Sequence, residues 1–349
     1  MQADLHGGNI YDHRVDLDFS VNLNPLGCPK PVKQAVAAAA NELQAYPQLG
    51  QELARQSIAA LEGVDPALVV CASGASELFM AIVHALQPRE ALLLQPGFSG
   101  YGHALAACPQ CRVRSFTLQE ENAFQLREDV LTQLTPGLDV FFLAAPNNPT
   151  GRAVEPLLLQ KILQRCEECG IWLVLDECFA DLSDGGSCAR QAGTEYSKLI
   201  VVRAFTKTLA VPGVRFGYAI AHPEVIRCLG RQLPEWNISV FAQAAAISGS
   251  QVLQEERYLA QTGRLIARER AYLTRQLKAL GLRVIPSESS FLLLFSGCEL
   301  QQPLLKKGIL IRSCSNFPGL GPGWYRIAVK KHKQNRALLC ALKEVLSET

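Results

Sequence analysis

Five short apolar runs between residues 68 and 205, LVVCAS, ALLLQP, VFFLAAP, IWLVLDE and LIVVRAF, alternate with stretches of helical pattern such as ASELFMAIVHAL, GYGHALAAC and VEPLLLQKILQRCEEC. A strand exposed on one face carries a polar residue at every second position. These runs do not, so they suit strands covered on both faces. Helices between successive strands return the chain to the same end of the sheet and make the strands parallel. The pattern predicts an α/β fold with a mainly parallel sheet between layers of helices. From about residue 236 it changes: the long helical segment QAAAISGSQVLQEERYLAQTGRLIARERAYLTRQLKAL leads into shorter β-type runs, LRVIPS, FLLLFSG, GILIRS and YRIAVK. We expect a large unit over residues 28–240 and a smaller C-terminal α/β unit over 241–349, joined as one body with a cleft between them.

A chain of 349 residues, 48% hydrophobic and 19% charged, has room for one large core and a lesser one. Its net charge of +2 and pI near 8.0 give no field suited to nucleic acid, and the basic run Lys330-Lys331-His332-Lys333 reads as a solvated turn. The N-terminus MQADLHGGNIYDH has no cationic segment followed by an apolar one. The longest apolar stretch, VVCASGASELFMAIVHAL, is broken by Ser73, Ser76, Glu77 and His84, so no membrane span is expected and a cytoplasmic protein is. Twelve cysteines include two C-x-x-C pairs, Cys108/Cys111 and Cys166/Cys169, but no set of histidines or second cysteine pair nearby completes four zinc ligands for either. We expect no metal site, and thiols that stay free in a reducing compartment.

Four polar elements interrupt the large unit, each just past the carboxyl end of a predicted parallel strand. They are Gly74-Ala75-Ser76, Asn148-Pro149-Thr150-Gly151, Asp176 and Lys207. Singly they read as a helix cap, a turn, a strand-end carboxylate and a solvated lysine. Together they mark the edge at which open α/β sheets bind ligands. Lys207 has no charged neighbour within three residues, and burial without a partner lowers a lysine's pKa and makes its amine a nucleophile. Backbone N–H groups of Ala75 and Ser76 at a helix start, the Ser76 hydroxyl and Arg215 suit a phosphate. Asp176 suits a protonated ring nitrogen, Asn148 a phenolate oxygen, and Tyr101 the face of an aromatic ring. An aldehyde held by Lys207 completes the set, and the cofactor that has all of these groups is pyridoxal 5'-phosphate.

The set Gly74-Ala75-Ser76, Asn148-Pro149-Thr150-Gly151, Asp176-Glu177, Lys207 and Arg215 resembles that of fold-type I pyridoxal-phosphate enzymes over essentially the whole chain. The stretches HGGNI at 6–10, DFSVNLNPLG at 18–27, DECFADL at 176–182, GILIRSCSNFPGL at 308–320 and YRIAV at 325–329 are similar to those of the L-threonine-O-3-phosphate decarboxylases of cobalamin biosynthesis, relatives of the histidinol-phosphate aminotransferases. The resemblance implies that residues 1–27 form an arm contributing to the substrate site. It also implies that His6, Gly7, Asn22, Asn148, Arg312 and Arg326 line that site, and that Tyr46 reaches the cofactor phosphate of a second subunit in a homodimer. The implied reaction is decarboxylation of a phosphoamino acid, for which two guanidiniums suit two anionic ends. Serine phosphate as substrate, an aminotransferase of the histidinol-phosphate type, and a non-catalytic regulator on the same fold are the alternatives. The regulator would need an added DNA-binding segment. Two positions depart from the wider family: Phe179 stands where aminotransferases commonly carry a tyrosine, which favours the decarboxylase, and Ala204 stands where a serine usually meets the phosphate.

Overall fold

The computed structural model describes residues 6–348. After a two-residue strand β1 (Leu17–Asp18), seven strands form one sheet: β2 (Val69–Ala72), β3 (Glu90–Gln95), β4 (Arg112–Thr117), β5 (Val140–Ala144), β6 (Trp172–Asp176), β7 (Leu199–Ala204) and β8 (Gly217–Ile220). Their order is β2-β8-β7-β6-β5-β3-β4, with β8 antiparallel to both its neighbours and the remaining pairings parallel. The expected α/β sheet is therefore present with one reversed strand. Alternation within the strands explains the unbroken apolar runs. Phe141 and Leu143 of β5 enter the core on one face of the sheet, and Val140 and Phe142 enter the core on the other.

Helices α1 (Lys30–Ala38) and α2 (Glu52–Glu62) precede the sheet. Then α3 (Ala75–Leu86) follows β2, α4 (Ser99–Leu105) follows β3, α5 (Pro156–Cys169) follows β5, and the single turn α6 (Phe205–Thr208) follows β7. After α7 (Pro223–Gly230), helix α8 (Val240–Gln254) packs on α1 and α2, and its Ala242, Ala245, Ala246 and Leu253 belong to the large core. Helix α8, which lies past the expected boundary at 240/241, thus packs with the large unit. Helix α9 (Arg257–Ala279) runs on to the smaller core, where its Leu273 and Leu277 are buried.

The smaller unit holds β9 (Arg283–Val284), β10 (Phe291–Phe295), α10 (Gln301–Lys306), β11 (Ile309–Leu310), β12 (Arg312–Ser313), β13 (Trp324–Ala328) and α11 (His332–Ser347). Its antiparallel sheet has the order β12-β13-β10-β9, while β11 pairs in parallel with β1. The N-terminal arm is thereby stitched to the smaller unit, and Phe19 is buried in that unit's core. Among the described residues no helix is long and apolar enough to cross a membrane.

Candidate active site

A cavity of about 220 Å³ opens at the carboxyl ends of β5, β6 and β7, faced by the start of α3, the N-terminal arm and the β12–β13 pair. From the large unit, Ala75, Ser76, Asn148, Asp176, Lys207 and Arg215 line it. From the arm come His6, Gly7 and Asn22, and from the smaller unit Arg312 and Arg326. Residues separated by three hundred positions in the chain thus share one wall.

The start of α3 is shaped for an anion. Gly74 has φ +84, and a Cβ there would lie 2.4 Å from Arg215 Nη2, so only glycine lets the guanidinium approach the turn. Arg215 itself adopts φ 60, and its Nη2 donates to Ser73 O at 3.4 Å. Thr206 also lines the cavity, supplying a hydroxyl two residues beyond Ala204. A helix N-terminus, two hydroxyls and a guanidinium at one end of a cavity fit a phosphate monoester.

Asp176 is buried at the end of β6, where its Oδ2 accepts from Tyr101 Oη at 2.6 Å and its Oδ1 from the Cys178 N–H at 2.9 Å. Burial raises its pKa, and the hydrogen bonds from Cys178 and Tyr101 and the charge of Lys207 resist that rise. Tyr101 corrects an expectation. Its ring does not line the cavity but stacks on Phe142, at 5.3 Å between centroids and 24° between planes, in the core beneath Asp176. The aromatic ring at the cavity wall is Phe98, three residues earlier in the segment that becomes α4.

Lys207, on the single turn α6, is partly buried. Its amine is lowered to about 8, first by burial and then by Arg326 and Arg215, against the pull of Cys178 and Asp176. Its Nζ lies 5.8 Å from the centroid of Phe179. A lysine so placed is a nucleophile near neutral pH.

Arg312 and Arg326 are directly opposite each other across β12 and β13, so their side chains share one face. Both are buried. Arg312 Nη2 donates to Asn316 Oδ1 at 2.9 Å, with Phe317 5.4 Å from its guanidinium carbon. Arg326 Nη2 donates to Ser20 O at 2.8 Å and its Nη1 to Asn148 Oδ1 at 2.5 Å. Burial, with Arg312 adding to it, lowers Arg326 to about 10. Its Nε and Asn22 Oδ1 are buried without a hydrogen-bond partner. Two repelling cations and an unfinished Arg326 N–H donor are what an anionic ligand would complete, and Asn22 Oδ1 suits an N–H or O–H of the same ligand. The same two arginines, after burial, hold the His6 imidazolium below its ordinary range. Gly7 lies so close to the arm's own return that a Cβ would meet Ser20 O at 2.4 Å.

Tyr46 stands apart from this cavity. It is 80% exposed and rests on Trp236, with 4.9 Å between ring centroids. Ser20, Phe98 and Phe317 also line the cavity; Ser20 and Phe317 lie in DFSVNLNPLG and GILIRSCSNFPGL, and Phe98 stands two residues before GYGHALAAC. The residues present fit pyridoxal phosphate: an anion cradle at α3, a buried carboxylate, an amide at Asn148 and a lysine face one enclosed space.

Comparison with known proteins agrees with this geometry. The family model described as aminotransferase class I and II matches residues 14–342. Threonine-phosphate decarboxylase of Salmonella typhimurium is 36% identical, over 98% of this chain and 96% of that protein. The adenosylcobalamin biosynthesis bifunctional protein of Leptospira interrogans is 30% identical over 100% of this chain and 42% of its own length. Among solved structures, histidinol-phosphate aminotransferase from Clostridium acetobutylicum superposes with a TM-score of 0.87 at 28% identity, covering 95% of this chain and 100% of that one.

Proposed function

The chain belongs to the aminotransferase class I and II family of pyridoxal-phosphate enzymes, and on that premise we propose that it decarboxylates L-threonine O-3-phosphate to (R)-1-amino-2-propanol O-phosphate and carbon dioxide for the cobalamin nucleotide loop. The observation that carries this reading is the opposed pair Arg312 and Arg326, buried in the cavity that Lys207 enters. Such a pair suits a substrate with two anionic ends, and the name of the Salmonella relative supports the choice of threonine phosphate. The Leptospira relative supports the pathway.

When bound, pyridoxal phosphate supplies a delocalised acceptor for the electrons of the bond broken at the substrate Cα. Ala75, Ser76, Thr206 and Arg215 would hold its phosphate, and Asp176, kept in place by Tyr101 and Cys178, would keep its ring nitrogen protonated. Lys207 is the residue whose amine would hold the aldehyde, and the same amine, when free, is the group placed to give a proton to Cα. Arg312 and Arg326 take the carboxylate and phosphate of the substrate, with Asn148 and Ser20 fixing the plane of Arg326. Phe179 places an apolar ring beside Lys207 where a tyrosine would add a second group able to move protons. An apolar ring at that position suits decarboxylation over transamination.

The same reading makes the active form a homodimer in the cytoplasm. Leu43, Tyr46, Leu49, Leu53 and Trp236 expose large apolar side chains, as a subunit face would, and Tyr46 of one subunit would then reach the phosphate of the other. The twelve cysteines, all free, suit a reducing compartment. Incubating purified enzyme with phosphothreonine or phosphoserine and measuring carbon dioxide and amine product tests the reading. Release from phosphothreonine is expected. Turnover of phosphoserine alone would change the substrate, and accumulation of pyridoxamine phosphate without carbon dioxide would make the chain an aminotransferase.

A further inference from the structure

Strand β2 is an edge of the large sheet, with β8 on one side and no strand on the other. On the free side the Gln51 carboxamide takes a strand's place: Nε2 donates to Cys71 O at 2.8 Å and Oε1 accepts from Cys71 N at 2.9 Å. Gln51 is buried in the left-handed conformation, φ 59, and its Nε2 also donates to Asn237 Oδ1. Asn237 Nδ2 donates in turn to Cys71 O and to Glu77 Oε2, each at 3.1 Å. Glu77 Oε2 accepts from the Ser73 N–H at 2.6 Å. A continuous chain of hydrogen bonds therefore runs from Gln51 to the peptide just ahead of Gly74.

Glu77 is the third residue of α3, and a glutamate there ordinarily reaches back to the N–H just ahead of its own helix. Next to that N–H stand those of Ala75 and Ser76, the groups that a phosphate would use. A carboxylate free to reach them competes with the phosphate and repels it. In this structure Glu77 does not line the cavity, because Asn237 and the Ser73 N–H hold it outside. We propose that Gln51 and Asn237 are positioning residues for the cofactor phosphate, clamping Glu77 away from the cavity so that the α3 N-terminus stays open to the phosphate. The array is anchored outside the cavity as well, since Asn237 follows Trp236, whose ring lies on Tyr46.

The proposal rests on the reading of α3 as the phosphate site, and comparing two ligands separates them. Dissociation constants for pyridoxal phosphate and for pyridoxal, which lacks the phosphate, are measured by cofactor absorbance on wild type, Asn237→Ala, Glu77→Gln and Asn237→Ala/Glu77→Gln. Gln51→Leu removes the clamp from its other end and stands in if Asn237→Ala does not fold. Wild type is expected to prefer pyridoxal phosphate strongly, and Asn237→Ala to lose about tenfold or more of its affinity for pyridoxal phosphate while pyridoxal binding holds within about twofold. Adding Glu77→Gln is expected to restore most of the loss, because the competing charge is gone. Equal losses for both ligands, unchanged affinity, or failure of Glu77→Gln to rescue would show ordinary structural support and overturn the proposal. If wild type binds both ligands equally, the phosphate assignment of α3 itself fails.

Discussion

Asp176 and Glu177 are neighbours in the chain, yet they serve two different clusters of buried charge. Behind the cavity, Arg203 Nη1 lies 2.6 Å from Glu62, its Nη2 bonds to Asp181, and its Nε is 3.9 Å from Glu177. The carboxylates there have further donors: Tyr218 to Glu62, Thr208 Oγ1 to Asp181 at 2.9 Å, and Ser187 and the Cys188 N–H, at 2.6 Å, to Glu177. Burial works against the Arg203 charge, and Asp181, Glu62 and Glu177 more than restore it. On the Asp176 side, Arg326 has no carboxylate partner among the described residues, and its Nε stays unbonded. Buried charge alone therefore does not identify a site. The cluster with completed hydrogen bonds is a brace for β7 and the turn after β6, and the incomplete one is built for a ligand.

Substitutions on the two sides should separate chemistry from stability, and the largest effect belongs to Lys207. Lys207→Ala should abolish turnover while the protein still folds and keeps the cofactor non-covalently through the α3 cradle and Asp176. Borohydride should fix the cofactor to the wild-type lysine, and a label found on another lysine would refute the assignment. Next come the paired arginines. Arg312→Leu or Arg326→Leu should lower kcat/KM for the phosphoamino acid by about thirty- to several-thousand-fold, about 2–5 kcal/mol, with the cofactor spectrum unchanged. Lysine should rescue poorly, since an ammonium cannot reproduce a planar fork. Wild-type kinetics in both variants would leave the substrate unassigned.

On the opposite side, Arg203→Met should spare the chemistry and damage the fold. It strands three carboxylates without their cation and should cost about 3–5 kcal/mol in denaturant titrations of the holoenzyme. Turnover per folded molecule should change little. A normal stability together with lost turnover would mean that Arg203 acts on the site and that the two clusters are one.

The two clusters also differ in how far they could be read from the chain. Lys207, Asp176, Asn148 and Ala75-Ser76 were legible because each follows an apolar run, and parallel strands bring all their carboxyl ends to one edge. The runs themselves stood out because both faces of β5 and β7 are buried. β4, RVRSFT, was not read as a strand, since as an edge strand it is largely exposed and carries Arg112 and Arg114. The brace could not be read either: Arg203 lies 141 positions from Glu62, and nothing local in LIVVRAF marks its arginine as paired. Tyr101 departs from its expected place at the ligand face for a related reason. The segment coils into α4 and turns Tyr101 under the floor, leaving Phe98 at the wall. The strand pattern fixes which end of the sheet a residue occupies, while the direction of a side chain past that end depends on packing.

The smallest expected effects are also the most discriminating, because the two clusters should respond to pH with opposite sign. Glu177 is raised from 4.5 to about 7, chiefly by burial, with Arg203 and the Cys188 and Ser187 hydrogen bonds resisting. Between these values the folded protein holds a proton that the unfolded chain has released, so the Glu177 contribution is fully present below 4.5 and is lost as pH rises through 7. Lys207 is lowered from 10.5 to about 8, so in that window the unfolded chain holds the extra proton. Its contribution is fully present above 10.5 and is lost as pH falls through 8. Each should amount to roughly 1–3 kcal/mol, with the lower part of the range for Lys207, which is only partly buried. Urea titrations of cofactor-free protein across pH, comparing wild type with Glu177→Gln and Lys207→Met, isolate the two terms as differences. Glu177→Gln should flatten the acid-side slope alone and Lys207→Met the alkaline one. Bound pyridoxal phosphate should erase only the Lys207 difference, because it takes up that amine and leaves the brace untouched. If the cofactor also removed the Glu177 slope, the two clusters would be coupled through β6 and β7, and the separation drawn between them would have to be given up.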